Sequence, residues 1–433
     1  MLYTTKRPLL LLLSIALTAA VAAAALLFAG RSADRPVAVS TLQVPLAAEI
    51  AQRHARLDRL PGDASGWAAL GASYVELARV TGDPANYGQA QQALDHSFRL
   101  RPDDNAEALT GLGVLANARH EFRAARGYAE RALALRPDST EAHGVLVDAL
   151  TQLGAADAAT AAVQRMLDLR PGVAAYTRAA YDLELHGRVD DARTALELAL
   201  GAARTVDQIA YCRYQLGELA FQAGQLDVAE NHYRAGLLAA PEHAALQQGR
   251  AKLLAARGEA DEAIIRYAAL TGRVPLPEYL IEFGELLESA GRLDAADQRY
   301  RQVAAQLAAL EAQGATDYAE AALLAADHGD PVAAVRMAEL EFGRRQSVIT
   351  ADVLAWSLHR AGRHTEALGY ADRAAALGWR NATLAYHRGM ILAALGRADE
   401  AATALGEALR INPYFSPLHG PRARAALAES TAR

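Results

Sequence analysis

The sequence predicts an all-α chain of stacked helical hairpins, on three observations. A unit of about 34 residues recurs along it with its glycine and proline punctuation in place. Hydrophobic residues make up 52% of the chain but aromatic ones only 6%, so the apolar content is mostly alanine and leucine, which are strong helix formers. Short runs such as Gly224-Gln225-Leu226-Asp227 and Gly291-Arg292-Leu293-Asp294 repeat one turn chemistry, in which Gly ends a first helix and Asp is placed to cap the second.

Before the repeats, Leu9 to Ala29 is apolar apart from Ser14 and Thr18 and follows Lys6 and Arg7. At about 1.5 Å per residue it is long enough to cross a hydrocarbon core of roughly 30 Å, which favours an uncleaved anchor. The small residues Ala22 to Ala25 suit a signal peptidase, so residues 1–30 are expected to be a signal anchor or a cleaved signal peptide. The basic start predicts an inside amino terminus with the repeats outside the cytoplasm, either on a single membrane pass through residues 9–29 or free in the periplasm or medium after cleavage. Residues 31–63 read as a linker and a leading helix, in which Leu46, Ile50, Leu57 and Leu60 keep helical spacing up to the Pro61-Gly62 break.

The repeats occupy residues 64–413. The first unit opens on Trp67, Leu70, Gly71 and Tyr74, and its second half, Ala90, Leu94 and Pro102, fits only with about seven residues inserted around Thr81 to Tyr87. Leu112, Gly113, Ala125, Ala132 and Pro137 mark the second, and Leu146, Ala159 and Pro171 the third; Pro137 and Pro171 stand 34 apart, as do Pro241 and Pro275. The fourth keeps Gly187, Ala192 and Leu196. The fifth is the clearest, with Leu216, Gly217, Ala220, Gly224, Ala229, Tyr233, Gly236 and Pro241. Leu254, Gly258, Ala263, Tyr267 and Pro275 follow in the sixth, Phe283, Gly284, Gly291, Ala296 and Tyr300 in the seventh, and the weaker Ala322, Gly329 and Ala334 in the eighth. Gly362, Ala367 and Ala371 mark the ninth, Gly389, Gly396, Ala401, Ala408 and Pro413 the tenth, and residues 414–433 are expected to cap the stack.

These positions resemble the tetratricopeptide repeat (TPR). The resemblance implies a right-handed superhelical α-solenoid of about ten helical hairpins whose first helices line a concave groove. Positions 2, 5, 9, 12 and 13 of each unit then face that groove. In the fifth unit these are Tyr211, Tyr214, Glu218, Phe221 and Gln222, in the seventh Glu278, Ile281, Glu285, Glu288 and Ser289, and in the fourth Tyr181 and Glu184. Such an acidic and aromatic face complements a segment carrying Arg or Lys with a few apolar side chains. Each unit is expected to touch chiefly its neighbours, so that stability is roughly a sum along the stack.

The function classes narrow accordingly. With 44 basic and 50 acidic residues and a net charge of −6, there is no basic footprint for nucleic acid. The two lysines, Lys6 and Lys252, cannot build the lysine clamp with which chaperone-binding TPR domains hold a terminal carboxylate. No His-Glu-x-x-His, Cys-x-x-Cys, phosphate loop or Gly-x-Ser-x-Gly occurs, so neither a metal, nor a cofactor, nor an enzyme is expected. His359 and His364 read as a surface pair, and the single cysteine, Cys212, as a small buried hydrophobe. The expected function is a scaffold or adaptor that binds protein partners in the cell envelope, similar to bacterial TPR proteins of cytochrome maturation, outer-membrane assembly or polysaccharide export. The alternative is a glycan-binding or polysaccharide-export accessory subunit, for which Trp356, Tyr386, Tyr211 and Tyr214 are the aromatic candidates.

Overall fold

The computed structural model describes residues 46–81, 83–312 and 318–431, which form 22 α-helices and no strand. The expected anchor or signal segment and the linker up to residue 45 lie outside the described residues. Among those described, no helix is long and apolar enough to cross a membrane.

A leading helix α1 (Leu46–Arg59) covers the start of an α-solenoid of ten hairpins. These are α2 (Ala64–Thr81) with α3 (Ala85–Leu100), α4 (Ala106–Ala118) with α5 (Phe122–Leu135), α6 (Thr140–Gln152) with α7 (Ala156–Leu169), α8 (Val173–Leu185) with α9 (Val189–Ala202), and α10 (Val206–Gln222) with α11 (Leu226–Ala239). The series continues with α12 (Ala244–Ala256) and α13 (Ala260–Arg273), α14 (Pro277–Ser289) and α15 (Leu293–Ala312), α16 (Tyr318–His328) and α17 (Pro331–Arg344), α18 (Val348–Arg360) and α19 (His364–Ala374), and α20 (Ala382–Ala394) and α21 (Ala398–Ile411). The last helix, α22 (His419–Thr431), packs on α20 and α21.

First and second helices start differently. Most first helices follow a loop that ends in a capping side chain: Asn105, Ser139, Thr205 and Ser347 each accept a hydrogen bond from the N–H three residues on, whereas α8 and α14 start at Gly172 and Leu276 without one. Most second helices leave a tight turn with a left-handed glycine, as at Gly224 (φ +71°) and Gly291 (φ +75°), and Gln225 begins α11 without a side-chain cap; α17 is instead capped by Asp330, which accepts from Val332 N–H. Asp227 and Asp294 therefore do not cap. They lie in the first helical turn, where a carboxylate suits the positive end of the helix, and Asp227 pairs with Arg257 of the next hairpin at 2.7 Å. In the second hairpin His120 takes the glycine's place at φ +60°.

The inserted residues of the first hairpin lengthen its helices and not the turn between them. α2 runs 18 residues where most first helices run 13, and Leu94 of α3 still reaches Gly71.

The hairpins do not touch only their neighbours, as the repeat pattern alone suggests. The stack winds until three successive turns meet three successive junctions about half the chain further on. Gly154 lies against the Gln346 carbonyl, Gly187 against the Gly378 carbonyl, and Gly224 beside Asn412 and Pro413. Arg344 donates to His120 O at 3.1 Å, Arg123 to Gly343 O at 3.0 Å, and Arg345 to the Gln152 side chain. Trp379 Nε1 donates to Glu184 at 3.4 Å, and Asn412 Nδ2 to Phe221 O at 2.9 Å. We refer to this seam as the clasp.

Candidate partner-binding groove

Aromatic residues of the second helices reach under the first helices, and small residues make that approach possible. Tyr233, fully buried, lies against Gly217 of its own hairpin and Gly249 of the next; Tyr300 lies against Gly284 in the same way. Their hydroxyls then emerge among the carboxylates of the first helices. Tyr233 donates to Glu218 at 2.6 Å, Tyr267 to Glu282 at 2.8 Å and Tyr300 to Glu288 at 3.1 Å. The acids and aromatics of this face thus form pairs across the hairpins.

Lys252 is the basic member of the row. It stands in α12 at the repeat place held by Glu218 in α10 and Glu285 in α14. Its Nζ donates to Glu218 at 2.6 Å and sits 4.7 Å from the centre of the Phe221 ring. Burial opposes its charge, but the carboxylates of Glu218 and Glu282 more than offset that and hold it protonated. Gln248 donates to Glu282 at 2.5 Å. Glu285 receives Ser416 Oγ at 3.2 Å, and burial together with Asp327, Glu282 and Glu288 pushes its carboxyl up to about 8. Glu288 has Arg422 at 3.4 Å and His328 at 3.3 Å. Farther on, Asp327 accepts Trp356 Nε1 at 3.0 Å.

The expected groove residues divide into three groups. Tyr211 (42% exposed) and Glu278 are open to solvent, and Tyr214, Glu218, Ile281, Glu285 and Glu288 are half-buried along the same face. Phe221, by contrast, is buried beneath Lys252. Tyr181 and Glu184 lie under the clasp: Tyr181 faces Phe342, Gln346 and Ser347 across a cavity of about 220 Å³, and Glu184 holds Trp379. Burial, then Glu184, pushes the Tyr181 hydroxyl up to about 12.

Four residues of the groove were not foreseen. Glu282 lies one place beyond the expected stripe, Gln248 and Lys252 sit on a first helix to which no groove position was assigned, and Ser416 arrives from the far end of the chain. Period alone marks Lys252, which is 34 residues from Glu218. Nothing in the sequence marks Ser416. The segment Pro413 to Pro417 closes one side of a cavity of about 400 Å³, whose other walls include Phe221, Lys252, Tyr267, Glu282 and Glu285.

Other expectations are corrected by packing. Trp356 and Tyr386, proposed as sugar-stacking faces, are each 1% exposed, and Trp356 stacks on His387 at 4.1 Å. The aromatic set of the glycan alternative is therefore not assembled on a surface. His359 and His364 do approach to 3.2 Å, but both are half-buried, and burial, followed by His364, pushes His359 down to about 4. Cys212 is fully buried, and burial pushes its thiol up to about 11. No group of three or more potential metal ligands occurs among the described residues.

Comparison with known protein families agrees with the repeat reading. The sequence model of the tetratricopeptide repeat matches residues 118–174, 214–276 and 353–414, so the chain carries TPR repeats. No curated protein matches the sequence. Among solved structures, a thermophilic TPR protein of Thermus thermophilus is similar at 21% identity and a TM-score of 0.38, over 42% of this chain and 98% of that one. The anaphase-promoting-complex hetero-tetramer Cut9-Hcn1 is similar at 15% identity and a TM-score of 0.40, over 89% and 81% of the two chains. Yeast Tom70 is similar at 13% and 0.35, over 89% and 92%.

Proposed function

We propose that this protein is a non-enzymatic scaffold or adaptor of the bacterial cell envelope that binds segments of partner proteins in the groove of its TPR solenoid. The observation that carries the reading is the row of carboxylates formed by Glu218 on α10 and Glu282, Glu285 and Glu288 on α14, with Lys252 of the intervening first helix α12 as its one lysine and Tyr211, Glu278 and Ile281 beside it. Charge orients an incoming basic segment, and aromatic and aliphatic area holds it. The apolar run Leu9 to Ala29 supports placement outside the cytoplasm, tethered or released.

The test is photo-crosslinking in intact cells with reactive residues placed at Tyr211 and Glu278, and at Leu238 on the outer face (82% exposed) as a control. A reproducible envelope protein captured from the groove positions and not from Leu238 is the expected result. Equal capture at all three positions sinks the groove assignment. Recovery of the repeats on the cytoplasmic side in a reporter-fusion topology map sinks the envelope assignment.

A further inference from the structure

We infer that the cavity between α12 and α13 of the sixth hairpin binds a small organic monocarboxylate, with the Arg250 guanidinium holding the carboxylate and leucine walls holding the body of the acid. The inference goes beyond the groove reading and does not rest on it. On α12, Arg250 and Leu254 each follow by two residues the groove members Gln248 and Lys252, which puts them about 200° further around the helix, on the side away from the groove.

Arg250 stands where other hairpins keep a core residue. The repeat place just before Gly71, Gly113, Gly217 and Gly284 is held by Leu70, Leu112, Leu216 and Phe283, all buried. In the sixth hairpin the same place, before Ala251, is held by Arg250. The tenth hairpin also carries an arginine there, Arg388, and balances it with Asp372 at 2.9 Å. Arg250 lacks such a carboxylate: among the described residues it forms no ion pair, and its Nε is buried with no acceptor. A guanidinium is a donor only and always charged, so an arginine in a core place is completed by an anion.

The cavity wall is basic, in a protein whose net charge is −6: Arg250, Arg266 and Arg273 share it with one carboxylate, Glu242. The two flanking arginines are taken. Arg266 pairs with Glu262 at 2.8 Å, and Arg273 with Glu242 and the Gln247 side chain. Gln247 gives its own amide N–H to Pro241 O at 2.8 Å. One positive charge is left over, that of Arg250, and it sets a single negative charge on the ligand. The planar guanidinium fork matches a carboxylate through two parallel hydrogen bonds. Leu237, Leu254 and Leu270 supply apolar wall beside it, and a volume of about 530 Å³ is that of a small-molecule site.

The test is calorimetry on the full-length protein with 4-phenylbutyrate and with N-acetyl-leucine, each compared with its neutral amide. Each acid is expected to bind at least about tenfold more tightly than its amide, a difference of about 1.4 kcal/mol or more. Arg250→Gln should remove that preference, and Arg250→Lys, which keeps the charge and loses the fork, should retain part of it. Tighter binding of 4-phenylbutyrate than of N-acetyl-leucine supports the inference with a free acid as the source, and the reverse order supports it with the carboxyl end of a polypeptide. Equal affinity of acid and amide in the unaltered protein, or no binding of either acid, overturns the inference whether or not the variants fold. A preference that survives Arg250→Gln overturns it as well, because the carboxylate is then held elsewhere.

Discussion

Tyr233 occupies the space that Gly217 leaves empty: a Cβ on Gly217 would stand 2.6 Å from Tyr233 Cδ1, inside the ring's contact distance. The pairing recurs at Gly284 with Tyr300 and at Gly389 with Leu405, so the large residue of the second helix and the glycine of the first are one packing unit. Gly217→Trp is therefore expected to destabilise the protein by about 3 kcal/mol or more through overpacking. Gly62, whose Cβ would meet nothing within 4 Å, provides the control: Gly62→Ala should leave urea unfolding unchanged. Equal unfolding of the two variants would falsify the assigned register.

Lys252 and Glu218 form a pair whose side chains are only 18% and 17% exposed. Removing one partner strands the other charge, so Lys252→Met is expected to destabilise by about 3 kcal/mol. The double variant Lys252→Met, Glu218→Gln should recover most of that loss, because neither charge is then left alone. If the two single variants and the double variant are equally unstable, the pair contributes through packing alone.

The pH dependence of stability has a definite sign. Glu285 titrates near 8 when folded against an ordinary value of 4.5, so the folded state holds the extra proton in between and stability falls as pH rises through that window. His359 and His419, pushed down to about 4 chiefly by burial, act oppositely between 4 and 6.5. Between 6.5 and 8 those two histidines no longer contribute, whereas Glu285 does, and burial raises the Glu282 carboxyl in the same sense. Thermal unfolding should therefore show declining stability from pH 6.5 to 8, and Glu285→Gln should flatten that decline.

Two glycines separate backbone strain from the clasp. Gly187 and Gly396 share a φ of +73°, but a Cβ on Gly187 would run into the Gly378 carbonyl oxygen, whereas one on Gly396 meets nothing within 4 Å. Gly396→Ala should cost about 1 kcal/mol from left-handed strain alone. Gly187→Ala should cost more and expand the molecule, seen as a larger radius of gyration in small-angle scattering. Unchanged scattering would show that the seam does not close the superhelix.

The hairpins were legible because each depends on residues close in sequence. A glycine in the turn, a small residue opposite a large one and a capped first helix can all be read within one period, and the delay between Gly71 and Leu94 revealed the insertion in the first hairpin, although its residues extend α2 and α3 and not the turn at Thr81 to Tyr87. The groove was legible only in part. Glu218, Glu285 and Glu288 follow from the repeat register, but the register says nothing of which tyrosine hydroxyl reaches which acid, or that α12 contributes Lys252 to the same row. The burial of Trp356 and Tyr386 depends on His387, Phe415 and His419, which come from the tenth hairpin and the end of the chain. The clasp was not legible, because its contacts join residues such as Asn412 and Phe221 that are 191 positions apart, and no local pattern encodes a distance of that kind.

A linear array can fray from either end one hairpin at a time, and its repeats can be added or removed without changing how the rest fit. The clasp removes that freedom. Because Gly154, Gly187 and Gly224 keep step with three junctions five hairpins later, loss of one interior hairpin between them would put all three contacts out of phase together. Copy number between the two halves of the seam is thus fixed by geometry. Hydrogen exchange should find the turns of the third to fifth hairpins opening in concert with the distant junctions they touch, as a single cooperative unit spanning half the chain.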